Sequence, residues 1–342
     1  MVQRLLQPGE IEALDHNAIP RLHLPRPASL FEARARRLRQ LAAGEVPGIP
    51  VEEALRGYLG LMAVVADAQH ALVARLGPTG VVLPDQAALR AAHDHNMPPL
   101  PVSGARPANW QAVFGALLDV LAEAENAPPQ LAPALAALRA TPSAELEGIA
   151  DAVLGSYPDG ADPLRAPFVA AALQVAWSMM AAQLDEAWAQ PLMTGTLCPV
   201  CGSHPVASVV RIGGQSQGYR YLHCSVCESE WHMVRVKCSC CEANGKVSYQ
   251  GLVAHDADPI AENKQAAKAG KPLDKANDPT KVARAETCDD CWTYRKIFNQ
   301  EHDFHVEPLA DDLASMLLDV LVTEAGYSRA SGNPLLWLRE NQ

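Results

Sequence analysis

The sequence predicts an α+β protein with an all-helical N-terminal domain, two tandem cysteine-rich metal modules and a C-terminal helix. Residues 1–190 contain no cysteine and repeat helical apolar stripes between proline-rich connectors. All nine cysteines lie between Thr196 and Phe304, among short β-branched runs and turn residues. We therefore divide the chain into a helical bundle (1–190), a metal-binding domain (191–305) and a C-terminal amphipathic helix with its tail (306–342).

Composition restricts the function classes. The 342 residues are 49% hydrophobic, so a large core is available without disulfides, and only 5% are aromatic. The formal net charge of −11 argues against nucleic-acid binding, which needs a basic face to neutralise phosphates. The first residues lack a secretory pattern, and Gln174 and Ser178 interrupt the most apolar stretch, 168–184. We expect a cytoplasmic protein without a membrane span, whose thiols stay reduced.

Three segments of the N-terminal part place apolar residues at helical spacing, which predicts buried helix faces. The first face consists of Leu55, Leu59, Met62, Val65, Leu72 and Leu76. The second consists of Trp110, Val113, Leu117 and Val120, and the third of Leu173, Trp177, Met180, Leu184 and Trp188. Such stripes are usually core, so we interpret this part as a helical bundle rather than as a cofactor pocket.

In the cysteine-rich part, "PVASVVRI" and "GYRYLH" are predicted strands joined by the turn "GGQSQ", and "EWHMVRVK" and "KVSYQGLVAH" are further candidates. Residues 256–281 are polar and lack apolar periodicity, which predicts a solvated insertion. After Pro308, one amphipathic helix is predicted, with Gly326 as its C-terminal cap. Its apolar face is formed by Leu309, Leu313, Met316, Val320 and Leu321.

The sequence contains four C-x-x-C pairs, and this spacing allows a tight turn to direct both sulfurs at one ion. Two such knuckles complete a tetrahedral site of four thiolates, so eight cysteines predict two mononuclear metal sites. The first knuckle, "CPVCG", has a form shared by zinc ribbons and rubredoxins. The predicted metal ligands are Cys198, Cys201, Cys224, Cys227, Cys238, Cys241, Cys288 and Cys291.

The pairing of the knuckles has two alternatives. Sequential pairing joins the first knuckle to the second and the third to the fourth, and we favour it because one hairpin connects the first two. Cross-bracing joins the first to the third and the second to the fourth. Four thiolates suit zinc or a mononuclear iron, and spacing does not separate these metals. Arg235, Lys237 and Lys246 are candidates to offset the negative charge, or residues of a solvated strand face.

Other candidate chemistry is limited. Cys240 lies inside the third knuckle, as C-S-C-C, and we expect a residue that does not bind the metal; a substitute ligand for Cys241 or a reactive thiol is the alternative. His223 and His232 neighbour the knuckles but are not needed as ligands. No P-loop, Gly-x-Ser-x-Gly or His-Glu-x-x-His motif occurs, so we predict that the chain is not an enzyme.

The order "CPVCGSHPVASVV", "GYRYLHCSVCESEWHMVRVKCSCCE", "AETCDDCWTYRKIF" and "DDLASMLLDVLVTEAGYSRASGNPLL" resembles the FdhE family of formate dehydrogenase formation proteins. The N-terminal "FEARARRLRQLA" is similar to the opening helix of that family. The resemblance implies a cytoplasmic accessory protein that binds the catalytic subunit of formate dehydrogenase. It also favours iron over zinc in the two four-cysteine sites. Cys240 and the long polar insertion depart from the family pattern.

Three function hypotheses follow. The leading one is an assembly factor for respiratory formate dehydrogenase, with metals that are structural or redox-active. The second is a nucleic-acid-binding zinc-ribbon protein, but residues 196–255 hold five basic residues against three acidic ones, which is a weak phosphate footprint. The third is a thiol oxidoreductase that uses Cys240. The sequence leaves open whether the protein forms a homo-oligomer.

Overall fold

The computed structural model describes residues 19–125, 127–155, 162–253 and 278–336. Within these ranges seven α-helices precede the first cysteine. They are α1 (Pro27–Ala42), α2 (Glu53–Leu76), α3 (Gln86–Asp94), α4 (Trp110–Ala122), α5 (Leu131–Arg139), α6 (Ser143–Gly155) and α7 (Ala166–Ala181). Helix α1 begins at a proline, whose fixed φ and missing N–H suit the first helical position.

Two of the three predicted helix faces are confirmed; the third is wrong in extent, because its helix ends at Ala181, before Leu184 and Trp188. Leu59, Met62, Val65 and Leu72 of α2 are buried, while Leu55 and Leu76 at its ends are partly buried against the same core. The α4 face is also buried. Helix α7 differs, because all of its residues are buried; it is the central helix of the bundle, packed against α2, α4 and α6.

Helix α2 is long and apolar enough to cross a membrane by length and composition, and it is the one such helix among the described residues. Its apolar residues pack into the core with α1, α4 and α7. A core helix of this kind passes the same test, so α2 is an element of the bundle. The most apolar stretch of the sequence forms the buried helix α7, as predicted.

The strands of the described residues form one sheet, to which the cysteine-rich part contributes six strands and the N-terminal and C-terminal parts one each. Its strands are β1 (Leu22–His23), β2 (Pro205–Val210), β3 (Arg220–Cys224), β4 (Glu230–His232), β5 (Val247–Gly251), β6 (Ala283–Cys288), β7 (Thr293–Asn299) and β8 (Ser328–Arg329). The order is β1-β4-β3-β2-β7-β6-β5, and β8 pairs with β7. Antiparallel pairing of β2, β3 and β4 makes one module, and that of β5, β6 and β7 makes the other.

A parallel pairing of β2 with β7 fuses the two modules, with Ser208 opposite Ile297 and Val210 opposite Asn299. Three predicted strands are present, but "EWHMVRVK" is extended only at Glu230–His232. Strands β6 and β7 were not among the predicted strands. Of the predicted polar insertion at 256–281, residues 256–277 lie outside the described residues, and its described end forms a short 3-10 turn at Pro279–Lys281.

The single predicted C-terminal helix is wrong in one respect, because two helices are present: α8 (Pro308–Ala314) and α9 (Met316–Glu324). The hydroxyl of Ser315 donates to the Asp311 carbonyl at 2.7 Å, and the chain bends there. The bend turns Val320 and Leu321 outward, while Leu318 and Val322 become the buried residues. Gly326 has φ +97° directly after the last turn, so the predicted cap is confirmed.

Candidate metal centres

Each C-x-x-C pair is followed by a residue in the left-handed region of φ. These residues are Gly202 (+75°), Glu228 (+63°), Glu242 (+62°) and Trp292 (+55°). The conformation closes a tight turn: the Gly202 N–H donates to the Cys198 carbonyl at 2.8 Å and the Trp292 N–H to the Cys288 carbonyl at 2.9 Å. Because side chains other than glycine rarely adopt this conformation, all four knuckles share a specific backbone geometry.

The structure brings the eight predicted cysteines together in the sequential pairing. One group is Cys198, Cys201, Cys224 and Cys227, and the other is Cys238, Cys241, Cys288 and Cys291. In each group all Sγ atoms lie within 4.8 Å of one another. Two Sγ–Sγ distances in the first group are 3.4 and 3.5 Å, and two in the second group are 3.8 and 3.9 Å.

These separations test whether the groups fit a metal. Four sulfurs at about 2.3 Å from one ion form a tetrahedron with edges of about 3.8 Å. The second group matches this edge length, and the first is slightly tighter. All nine cysteines are free thiols, so no disulfide competes for the sulfurs. The donor set and the spacing therefore fit a tetrahedral ion in both groups.

The first group, which we call site 1, is closed off from solvent, and its four cysteines are 0% exposed. The loop after α3 covers it: the Leu100 N–H donates to the Val200 carbonyl at 3.0 Å and the Val102 N–H to the Cys201 carbonyl at 2.9 Å. Trp177 of α7 fixes this loop by donating to the Leu100 carbonyl. Burial raises the pKa of the Cys201 thiol well above its usual value.

The second group, which we call site 2, lies at the surface. Cys241 is exposed and Cys291 is half-buried, whereas Cys238 and Cys288 are buried. Burial alone would raise the pKa of Cys291, but hydrogen bonding to the Thr293 hydroxyl, whose Oγ1 lies 3.0 Å from Sγ, helps to lower this pKa to about 7. The two sites thus share a ligand set and differ in their access to solvent.

Cys240 has an exposed side chain and is outside the site 2 group. Its backbone N–H donates to the Cys238 sulfur at 3.3 Å, as knuckle amides do. The Cys240 thiol therefore lies outside the four-sulfur group of site 2, whereas its backbone amide contacts one of the four sulfurs.

Sequence reasoning missed a buried ionic network beside site 1. Glu228, directly after Cys227, receives two hydrogen bonds from Arg34 of α1 at 3.1 and 2.7 Å, and Arg34 also contacts Glu307. Glu228 also bonds His223 at 2.7 Å, and the far side of that ring bonds Glu230. His223, Glu228 and Glu307 lie close enough to hold an ion, but Arg34 already occupies both carboxylates. The network therefore joins α1 to the knuckle.

The buried groups of this network keep each other in their charged forms. Burial favours neutral His223, but the hydrogen bonds that its ring donates to the carboxylates of Glu228 and Glu230 outweigh this effect and raise the pKa of His223 to about 9. Burial would likewise raise the pKa of Glu228, but the charge of Arg34 lowers it below the usual value. Because Arg34 and Glu228 are far apart in sequence, no local pattern predicts their pairing.

The basic residues proposed to offset the metal charge have other partners. Lys237 pairs with Glu242, and Lys246 pairs with Asp290 at 2.7 Å. Arg235 donates to the Gly218 carbonyl. A buried cation at the third knuckle is Arg295 of β7, whose Nε donates to the Ser239 hydroxyl at 3.0 Å. Burial lowers the pKa of Arg295 to about 10, so it remains charged at neutral pH.

Three family models match consecutive parts of the chain: "FdhE, N-terminal" at 19–194, "FdhE, central domain" at 197–235 and "FdhE, C-terminal domain" at 236–336. A Pseudomonas aeruginosa protein named "Protein FdhE homolog" is 40% identical over 98% of both chains. "Protein FdhE" of Escherichia coli K12 is 38% identical over 98% of this chain and 96% of its own length.

A solved structure, "The crystal structure of the FdhE protein from Pseudomonas aeruginosa", superposes with a TM-score of 0.73 at 37% identity. The match covers 93% of this chain and 99% of that one. Family models that together cover nearly all of the described residues, and relatives matched along nearly their whole length, agree with the resemblance seen in the knuckle sequences. The chain belongs to the FdhE family.

Proposed function

We propose that this protein is an accessory factor in the maturation of formate dehydrogenase and is not itself an enzyme. The observation that carries the proposal is its membership of the FdhE family along nearly the whole chain, with all four knuckles in place. The family is associated with the formation of active formate dehydrogenase, as the sequence resemblance implies. A folded chain whose cysteines are gathered into two groups of four metal-binding thiols suits a binding protein better than a catalyst.

The metal assignment is part of the proposal. The two groups hold one mononuclear ion each, and iron is favoured over zinc because of the family resemblance. Supporting evidence is the tetrahedral spacing of the sulfurs and the left-handed turn after each knuckle. An ion at site 1 or site 2 would clamp two knuckles together and so contribute to folding, and iron would in addition supply a one-electron couple.

The metals are tested by elemental analysis and a visible spectrum of protein purified without oxygen. Two equivalents per chain are expected. Cys198→Ala removes one of them, whereas the matched control Cys240→Ala, which deletes a thiol outside both groups, retains two. Retention of two equivalents by Cys198→Ala would refute the ligand assignment. If the analysis finds two zinc ions and no visible absorption, zinc replaces iron in the assignment, and both sites are structural.

The proposed partner is the catalytic subunit of formate dehydrogenase. The test is anoxic co-purification of that subunit with an affinity-tagged chain, with Cys240→Ala as the folded control. Recovery of the subunit in stoichiometric amount is expected. Repeated recovery of the tagged chain alone from cells that express the subunit would contradict the proposal. The same preparations, analysed by size-exclusion chromatography with light scattering, give the oligomeric state.

The cytoplasm is the proposed location. All nine cysteines are free, including exposed Cys240 and Cys241, which suits a reducing compartment. The nucleic-acid alternative loses support, since four of the five basic residues between 196 and 255 are paired with carboxylates. The pairs are Arg211–Glu230, Arg220–Glu286, Lys237–Glu242 and Lys246–Asp290. Few charges remain there to contact phosphates.

A further inference from the structure

Among the described residues, every buried arginine or lysine except Arg295 forms an ion pair with a carboxylate. Five arginine and lysine side chains are buried among the described residues, and four of them contact a carboxylate at 2.7 Å or less. These pairs are Arg34–Glu228, Arg37–Asp311, Arg220–Glu286 and Lys296–Asp319. Arg295, which is 4% exposed, has no carboxylate at ion-pair distance in the described part of the chain.

The hydrogen bonds of Arg295 all go to neutral oxygens. Its Nε donates to the Ser239 hydroxyl at 3.0 Å, and Nη1 donates to the Pro205 carbonyl and the Ser331 hydroxyl. These bonds occupy Nε and Nη1 and do not neutralise the charge, which Glu286 offsets only through a longer-range attraction. A buried charge without a counter-charge is costly, so proteins pair it or place it beside a metal site.

The position of Arg295 indicates where the missing negative charge lies. Ser239, its partner, is the residue between Cys238 and Cys240 in the third knuckle. Arg295 also lines a small internal cavity together with Cys238 and Cys288, two of the site 2 ligands. The nearby Glu286 is engaged by Arg220 at 2.6 Å and by the Ser208 hydroxyl.

We propose that Arg295 is the counter-charge of site 2 and strengthens metal binding there. Four thiolates around a divalent ion carry a net charge of −2, and around a ferric ion −1, so the loaded site supplies the negative charge that no carboxylate at ion-pair distance provides among the described residues. The inference rests on the proposed metal in site 2 and adds a residue outside the eight ligands. Site 1 is the internal reference, since Arg34 beside it is already paired with Glu228 and Glu307.

The experiment measures the zinc affinity of both sites in the full chain by competition with a chelator, for wild type, Arg295→Met and Arg295→Lys. Arg295→Met is expected to weaken one of the two equivalents by about tenfold or more, the order of one lost charge interaction, and to leave the other unchanged. Arg295→Lys keeps the charge and is expected to retain most of the affinity.

Ser239→Ala separates charge from hydrogen bonding, because it removes one acceptor and leaves the guanidinium in place. It is expected to lower the affinity less than Arg295→Met does. If Arg295→Met does not fold, the other two variants still test the proposal. Arg295→Lys and Ser239→Ala both keep a positive charge at position 295, so both must then bind zinc strongly at both sites.

Three results would overturn the inference. Arg295→Met could bind both equivalents as tightly as wild type, which would show that the charge has no effect. Arg295→Lys could lose as much affinity as Arg295→Met, which would show that the hydrogen bonds of the guanidinium matter and not its charge. Wild type could take up only one equivalent; this outcome would also refute the proposed metal at site 2, whereas the first two leave that site intact.

Discussion

The guanidinium of Arg34 and the carboxylate of Glu228 form a buried pair, with two hydrogen bonds of 3.1 and 2.7 Å, across 194 residues of sequence. Arg34 belongs to helix α1, and Glu228 is the left-handed residue that closes the second knuckle of site 1. The pair therefore joins the helical bundle to the second C-x-x-C knuckle, so the position of this knuckle depends on the folding of helix α1.

Removal of Arg34 is expected to destabilise the protein strongly. Arg34→Met leaves Glu228 and Glu307 buried without their shared cation, and breaking a buried pair in this way costs about 3–5 kcal/mol. The matched control is Arg39→Met on the same helix, which breaks an exposed pair with Asp67 and is expected to cost about 0–1 kcal/mol. Urea unfolding of metal-loaded protein, followed by circular dichroism, measures both. Equal losses in the two variants would contradict the role given to the buried pair.

The two metal sites are expected to release their ions at different rates. Site 2 exposes Cys241 and part of Cys291, whereas all four cysteines of site 1 are 0% exposed. A colorimetric chelator added to protein loaded with two zinc ions should therefore remove the first equivalent quickly and the second slowly. Cys198→Ala should show only the fast phase, and Cys238→Ala only the slow phase. A single phase in the wild type would show that burial does not govern release.

Local patterns predicted the parts of the molecule that depend on local geometry. A C-x-x-C turn is specified by its own residues, and the strands after Cys201 and before Cys224 form a hairpin, so the pairing at site 1 followed from sequence. The faces of α2 and α4 likewise followed from helical spacing.

Strands β6 and β7 escaped prediction because their buried residues include charges. Glu286, Arg295 and Lys296 interrupt the apolar alternation that marks a strand, yet all three are buried. Glu286 is partnered by Arg220 and Lys296 by Asp312 and Asp319, all on other elements. Interactions between such distant residues have no local sequence signal. The role that we propose for Arg295 as the counter-charge of site 2 has no local sequence signal either.

Trp292 provides a test of knuckle strain. It has φ +55°, where a side chain other than glycine costs about 1–2 kcal/mol, and its ring stacks on Tyr327 at 5.5 Å. Trp292→Gly and Trp292→Ala both lose the stacking, but only alanine keeps the strain. Trp292→Gly should therefore be more stable than Trp292→Ala by about 1 kcal/mol in urea unfolding.

The control for this comparison is Asp290, two residues earlier, which does not have a positive φ. Both variants there lose the ion pair with Lys246, so their difference reports the backbone alone. At Asp290 the alanine variant should be at least as stable as the glycine variant. The strain argument fails if alanine is also the better residue at position 292.

His232 of β4 is expected to stay neutral in the folded protein down to about pH 4. Burial lowers its pKa to about 4, and the nearby charges of Arg21 and Arg220 act in the same direction. The unfolded chain has a histidine pKa of about 6.5, so between these values the unfolded state binds a proton that the folded state does not. This contribution to stability is present above about pH 6.5 and decreases as the pH falls towards 4.

The measurement is an NMR titration of the His232 ring protons in metal-loaded protein, with the signal assigned by its absence in His232→Gln. No change in chemical shift is expected between pH 7.5 and 5.5. In parallel, the unfolding midpoint of wild type should fall more than that of His232→Gln over the same range, because the variant has no proton to take up at this position. A His232 midpoint near pH 6.5 would show that neither burial nor the two arginines affect the ring, and the pH dependence of the two proteins should then coincide.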